Sequence, residues 1–415
     1  TSNLPRLISL NEKYPGQSFM SQTNSNFIQD FVEYNSGNEC PPPFVLWTAY
    51  SILAAAAGHK IWHCQGDYFF VRCDTYTLLV GESGDKKTSS MDLGVSLFTE
   101  VNKDAILSSD NETYQGLLKW MGADDSTREY FNPQKNIAVK YKPYHIFASE
   151  FMDFINNNPD AMLKFLTGVK GRAAYRYRLG GQEDRYLINP YITLLGCTTF
   201  EWLVDQIKTK QFRQGIGRRL ILVCNRGFNR KEPIKPPAME AARVRCLGHL
   251  ERIKKVAGQV KIEPAANVHF WQSHISQKRN DDRFIETWKS SLNILVMQVA
   301  ILTSLAERSD LEVHLNHILC AQDLLGDVER RLEMLTPQIG KNESIASYQQ
   351  IIELLQLRGG EMPEKDLKML TLKEFKDPIE QWRAIEFLKS TGQLVVDDRL
   401  VNGVKRKFVV VTKKG

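Results

Sequence analysis

The 415-residue sequence predicts an α/β fold in which helices cover a mostly parallel sheet, and two observations lead there. Strand-like runs alternate with helical patterns from residue 75 to residue 224, the rhythm of strand, helix, strand crossovers. A glycine-bearing polar loop at 81–88 stands between one of those strands and a helix, the setting in which backbone N–H groups can hold phosphate. Hydrophobic residues make up 42% and charged residues 25%, so the chain can build a proper core. Its length exceeds one ordinary domain and predicts a large core with one or two smaller parts.

Taken in order, residues 1–25 are polar, carry Pro5, Pro15 and Gly16, and read as an arm. A short helix at 27–34 ends before Pro41-Pro42-Pro43, and 44–58 is an Ala-rich, nearly all-apolar helix that must be buried. Strand runs follow at 60–64, 68–72 and 75–80, then a helix at 88–101 and another at 114–121. Further strands are expected at 144–148, 191–195 and 220–224. An Arg, Lys and Pro-rich connection at 225–240 leads to helices at 239–256, 282–305 and 311–335. The tail shows three helical patterns, at 344–357, 363–370 and 378–391, and then two strand runs, at 394–397 and 408–412, around Asn402-Gly403. That is a winged-helix-like pattern, with Lys405, Arg406, Lys407, Lys413 and Lys414 making a basic wing. The expected division is 1–58 arm and helical region, 59–240 core, 241–342 helical region and 343–415 winged-helix-like domain.

Fifty-four Lys and Arg against 48 Asp and Glu give a formal charge of +6, which permits a nucleic-acid partner without requiring one. Seven cysteines, several inside apolar runs, suggest reduced, buried, intracellular usage. No stretch reaches the roughly 20 apolar residues of a membrane helix, and no leader pattern opens the chain, so no membrane partner and a cytoplasmic setting are expected.

The loop reads Gly81-Glu82-Ser83-Gly84-Asp85-Lys86-Lys87-Thr88 after the apolar run Tyr76-Thr77-Leu78-Leu79-Val80. It aligns with the Walker A pattern: Lys87 as the phosphate lysine and Thr88 as the Mg²⁺ ligand, with residues Gly81 to Ser89 cradling ATP. Lys86 stands where the pattern has glycine, and a side chain there is unfavourable if the backbone needs positive φ. The competing reading is a polar turn capped by Ser83 or Asp85.

With the Ala-rich helix at 44–58, the loop, a Ser108-Ser109-Asp110-Asn111-Glu112 segment before a helix, and Gly215-Ile216-Gly217-Arg218-Arg219 before a strand, the chain resembles a known family. It is similar over about 26–230 to the primase-associated, helicase-like ATPases of phages, plasmids and mobile genomic islands. That resemblance implies a RecA-like or AAA-like P-loop core and a homo-oligomeric ring, with a hexamer expected, acting on single-stranded or forked DNA. It also implies residue roles. Tyr144-His145-Ile146-Phe147-Ala148-Ser149-Glu150 takes the Walker B place, so Glu150 would polarise the attacking water, while Ser149 replaces the usual aspartate. Thr198 or Thr199 would sense the γ-phosphate, and Arg218 and Arg219, or more weakly Arg213, would supply an arginine finger to a neighbouring subunit. The bland readings are that Glu150 starts a helix, that the threonines cap one, and that the arginines are a solvated strand edge.

Three other groups carry less. His59, His63, Cys64 and Cys73 lack the spacing of paired zinc clips; His314 and His317 share a helix without a visible second cluster; Cys197 has no activating histidine in the sequence. The expected function is an ATP-hydrolysing, helicase-like DNA motor of a mobile-element replication or maintenance system. The alternative is a nucleotide-gated assembly or signalling ATPase, for example in defence, with slow turnover and no unwinding, which Lys86 and Ser149 favour. A third reading is a DNA-binding protein with a decayed loop.

Overall fold

Asn26 caps the first described helix, α1 (Phe27–Tyr34): its side chain accepts from the Gln29 N–H at 3.0 Å while Gln29 reaches back to the Asn26 N–H. The structure, a computed structural model, describes residues 26–412 except 110, 157, 179–183, 209–211, 228–236, 309, 334–350, 353, 357, 372–377 and 402–403. The arm at 1–25, Asp110, most of the 225–240 connection and of the 344–357 helix, the Asn402-Gly403 turn, and Lys413 and Lys414 lie outside the described residues, as do the side chains of Arg213, Lys405 and Arg406.

Helix α2 (Pro42–Ala57) begins on prolines, whose missing N–H costs nothing in a first turn, and ends at Gly58 with φ 63°. It is buried on nearly every side, as its composition requires. The hairpin β1 (Ile61–Gln65) and β2 (Phe69–Arg72) follows, then β3 (Tyr76–Val80), α3 (Lys87–Val101), α4 (Tyr114–Gly122), β4 (Arg128–Asn132), β5 (Ile137–Ala148), α5 (Phe151–Ile155) and α6 (Pro159–Val169). A second hairpin, β6 (Ala174–Tyr177) and β7 (Arg185–Ile188), precedes β8 (Pro190–Thr198), α7 (Phe200–Lys208) and β9 (Leu220–Cys224). Then come α8 (Pro237–Lys254), the short strands β10 (Gly258–Gln259) and β11 (Lys261–Ile262), α9 (Pro264–Ile275), α10 (Arg283–Lys289), α11 (Leu292–Glu307), β12 (Glu312–Val313) and α12 (Leu315–Glu333).

The central sheet has five strands in the order β4-β5-β8-β3-β9; β5, β8, β3 and β9 run parallel and β4 is antiparallel to β5. Leu107 adds a parallel bridge to His145 on the far half of β5. Every residue of β3, β8 and β9 is buried, so both faces of the sheet are covered. The alternation read from the sequence is thus a mixed α/β fold with a mostly parallel sheet. No described helix is long and apolar enough to cross a membrane.

Some elements differ from expectation. The helix expected at 282–305 is two, because Ser290 ends α10 and turns its hydroxyl onto the Thr287 carbonyl. Residues 312–313, expected within a helix, pair as β12 with Lys261–Ile262, and Leu311 turns into them at φ 56°. The strand expected at 191–195 runs nine residues, from Pro190 to Thr198.

Residues 336–415 form a separate compact unit. Its strands β13 (Glu361–Pro363), β14 (Leu394–Val401) and β15 (Val404–Val411) make an antiparallel sheet ordered β13-β15-β14, accompanied by α13 (Glu364–Thr371) and α14 (Pro378–Ser390). Ile351, Leu355, Leu367, Ile385, Leu394 and Val409 build its core. The edge strand β13 was not legible, being three residues long and ending in proline. Asp398 lies opposite Lys407, and Arg399 forks onto Glu361 at 2.8 and 2.9 Å.

Candidate functional site

Parallel register brings three sequence signals to one end of the sheet. Val80 is level with Thr198 on β8, and Ala148 on β5 is level with Gly196. Glu150 follows the end of β5 two residues past Ala148, and Thr198 ends β8 two residues past Gly196, so both lie at the carboxyl ends of the strands, where open α/β sheets bind ligands.

The loop after β3 is braced from inside. Gly81 donates its N–H to the Thr198 carbonyl at 3.2 Å. The Asp85 carboxylate, 4% exposed, accepts from the Glu82 N–H at 2.7 Å. A Cβ at Gly81 would meet Asp85 Oδ2 at 2.9 Å, the Asn225 carbonyl at 3.1 Å and the Phe44 ring at 3.2 Å, so only glycine fits there. Lys87, buried, donates its ammonium to the carbonyls of Gly81 at 2.9 Å and Glu82 at 2.7 Å. The loop thereby holds the lysine folded over its own first turn. Thr88 and Ser89, half-buried, occupy the first turn of α3, while Glu82, Ser83 and Gly84 are exposed.

Lys86 adopts the left-handed conformation, φ 56° and ψ 27°, immediately before α3. The position does require the backbone that glycine accepts without cost, and here a lysine adopts it, with its ammonium 3.5 Å from Glu39. Helix α3 is set against α2 through Gly94, where a Cβ would come within 2.8 Å of Ile52 and 3.0 Å of Thr48.

Glu150 is exposed, precedes α5, and makes no side-chain cap bond to it. Lys87, Glu150 and Asp92 all lie within electrostatic reach of Cys197. Burial pushes the Cys197 thiol up to about 12, with Lys87 pulling the other way, so this sulfur is no thiolate nucleophile at neutral pH. The two threonines part company. Thr198 is buried at the loop, whereas the Thr199 hydroxyl accepts from the Trp202 N–H at 3.3 Å and caps α7.

Arg218 and Arg219 lie at the opposite end of the sheet. They sit in a single 3₁₀ turn before β9, whose first residue is level with Tyr76, the first of β3, roughly 15 Å from the loop along a five-residue strand. Arg219 donates to the Gly215 carbonyl at 2.9 Å, and burial, then neighbouring Arg218, lowers its pKa. Arg218 Nε is buried with no hydrogen-bond partner among the described residues. The pair does not join the loop within one chain. A guanidinium that the sequence did not flag does reach the loop's end of the sheet: Arg331 of α12 donates to the Cys224 carbonyl at 3.3 Å and to Asn225 Oδ1 at 3.1 Å, steadied by Asp327. Nothing in the sequence around 331 distinguishes it from a solvated helix residue.

The remaining groups resolve differently. His59 is buried against Tyr141, 5.4 Å away, and burial lowers its pKa to about 3. His63 bonds the Val260 carbonyl. His314 converges with Asp310 and Glu312, a juxtaposition invisible in the helical pattern, but Arg308 already binds Asp310 at 3.2 Å and His314 at 2.7 Å. His317 turns to Glu307 instead. No protein-family model and no curated protein matches the chain.

Proposed function

We propose that this chain is an ATP-hydrolysing P-loop protein of RecA-like or AAA-like type, acting as a helicase-like motor on nucleic acid. The observation that carries the reading is the convergence, at one end of a parallel sheet, of the Lys87 loop, Glu150 and Thr198. ATP would lie in the loop at the amino end of α3, where backbone N–H groups and the helix dipole favour phosphate. Lys87 would exchange the Gly81 and Glu82 carbonyls for phosphate oxygens, and Thr88 would hold Mg²⁺. Mg²⁺ would supply charge neutralisation on the phosphates. The Glu150 carboxylate, exposed and making no cap bond to α5, would orient a water.

Arg218 and Arg219 suit a role toward a neighbouring copy, since their own loop is at the other end of the sheet. A homo-oligomeric ring would bring them to it. Helix α14 of the second unit exposes Trp382 and Phe387, and Lys407 of the expected basic wing is exposed on β15.

Steady-state ATP hydrolysis with and without single-stranded DNA tests this reading. Turnover that DNA stimulates supports the motor. Tight nucleotide binding with no stimulated turnover would select the nucleotide-gated switch, which the strained Lys86 and the absence of an aspartate at Ser149 favour.

A further inference from the structure

The hairpin of β6 and β7 stands apart from the central sheet as a two-stranded ribbon, a form that is marginal alone. Its inner face explains its stability. Leu187 and Tyr177 are buried, Tyr175 meets Phe165 of α6 edge-on at 5.2 Å, and the Tyr177 hydroxyl fits against Gly122, where a Cβ would clash. The base is clamped as well: Asn189, at φ 46°, donates its N–H to the Ala173 carbonyl at 2.7 Å and its side-chain amide to the Lys140 carbonyl at 2.9 Å.

The outer face has no such explanation. Arg176 lies directly opposite Tyr186 and Ala174 opposite Ile188, so these four share that face. Tyr186 and Ile188 are 54% and 53% exposed, and the Arg176 side chain is 68% exposed. Arg172, Arg178 and Arg185 are exposed around them, against one described acidic residue, Asp184, which pairs with Arg178 at 2.9 Å and with Arg176 at 3.7 Å. An aromatic ring beside a guanidinium, on a ribbon packed along its inner face and with a cationic surround, matches the two needs of a single strand: a flat surface for a base and positive charge for phosphates.

We propose that this outer face is a single-stranded nucleic-acid contact, with Tyr186 stacking on a base and Arg176 facing the backbone. The proposal rests on the motor reading and names where its substrate is held. The hairpin feeds straight into β8, whose far end bonds Gly81 through the Thr198 carbonyl. Strand contact at the hairpin is therefore one nine-residue strand, roughly 25–30 Å, from the nucleotide loop.

The test is the anisotropy of a labelled oligothymidylate titrated with the full chain, run beside DNA-free ATP turnover and thermal melting for each variant. Tyr186→Ala is expected to weaken binding about tenfold or more and Tyr186→Phe to retain it. Arg176→Glu is expected to weaken binding and flatten its salt dependence by about one phosphate contact. Melting and DNA-free turnover should stay at parental values, because these side chains are exposed. Parental affinity in both Tyr186→Ala and Arg176→Glu would overturn the hairpin assignment and leave the motor standing with its strand bound elsewhere. Failure of the parent to bind the oligonucleotide would overturn both.

Discussion

The Gly81 N–H donates to the Thr198 carbonyl at 3.2 Å, joining the loop at 81–88 to the end of the neighbouring strand. Thr198 is thus fixed against the loop whatever its hydroxyl does, and its neighbour Thr199 is committed to capping α7. Thr199→Ala is expected to lower stability by about 1 kcal/mol, as a lost cap does, with turnover unchanged. Thr198→Ala is expected to reduce turnover with a smaller loss of stability. Denaturant melts paired with ATPase rates check this; a reversed pattern would assign the sensing role to Thr199.

Lys86 holds a left-handed backbone at φ 56° that costs an L-residue about 1 kcal/mol relative to glycine. Its pairing with Glu39 is half-exposed and offsets little of that. Lys86→Gly is expected to raise unfolding stability by about 0.5–1 kcal/mol and to keep nucleotide binding. A loss of stability on this substitution, measured by urea unfolding, would contradict the strain assigned to the loop.

How much of this was legible in the sequence depends on the range of the forces involved. The loop could be read because its chemistry is local: Gly81, Gly84, Lys87 and Thr88 are fixed by spacing alone, and even the cost at Lys86 follows from its position before α3. Glu150 could be placed because it follows an apolar strand directly. The strand order was not legible, since nothing in 190–198 says that it lies between β3 and β5. Nor was the inward turn of Asp85, which reads as polar but is buried as a strut under the Glu82 N–H. Arg331, more than a hundred residues from Asn225 in the chain, and the exposed face of β6 and β7 emerge only from tertiary packing, which periodicity does not carry.

Arg218 and Arg219 cannot serve their own loop, because they sit at the start of β9 while the loop follows the end of β3. If they serve a neighbour's, Lys87→Ala and a double Arg218→Ala, Arg219→Ala variant, each inactive alone, regain part of the parental ATPase rate when mixed. The Lys87→Ala copy supplies the arginines, and the other supplies the loop. No recovery at any mixing ratio, with assembly verified by sedimentation, would remove the arginine pair from catalysis.

Two buried histidines set a pH response. Burial lowers the pKa of His59 from 6.5 to about 3 and of His145 to about 4. Both rings stay neutral when folded but take up a proton below pH 6.5 when unfolded, so the unfolded state binds more protons across that window and stability falls as pH falls. The expected loss at pH 5 is about 2 kcal/mol per histidine relative to pH 7. Urea unfolding at both pH values measures it, and His145→Gln should remove its share of the slope.

The central claim is that Lys87 and Glu150 serve two different steps at one nucleotide site. The most direct measurement is ATP binding and ATP turnover, side by side, for the parent, Lys87→Ala and Glu150→Gln. The account requires Lys87→Ala to lose binding, and Glu150→Gln to bind ATP at least as tightly as the parent while losing turnover by about 10² or more. Undiminished turnover in Glu150→Gln, or unchanged ATP affinity in Lys87→Ala, would contradict it.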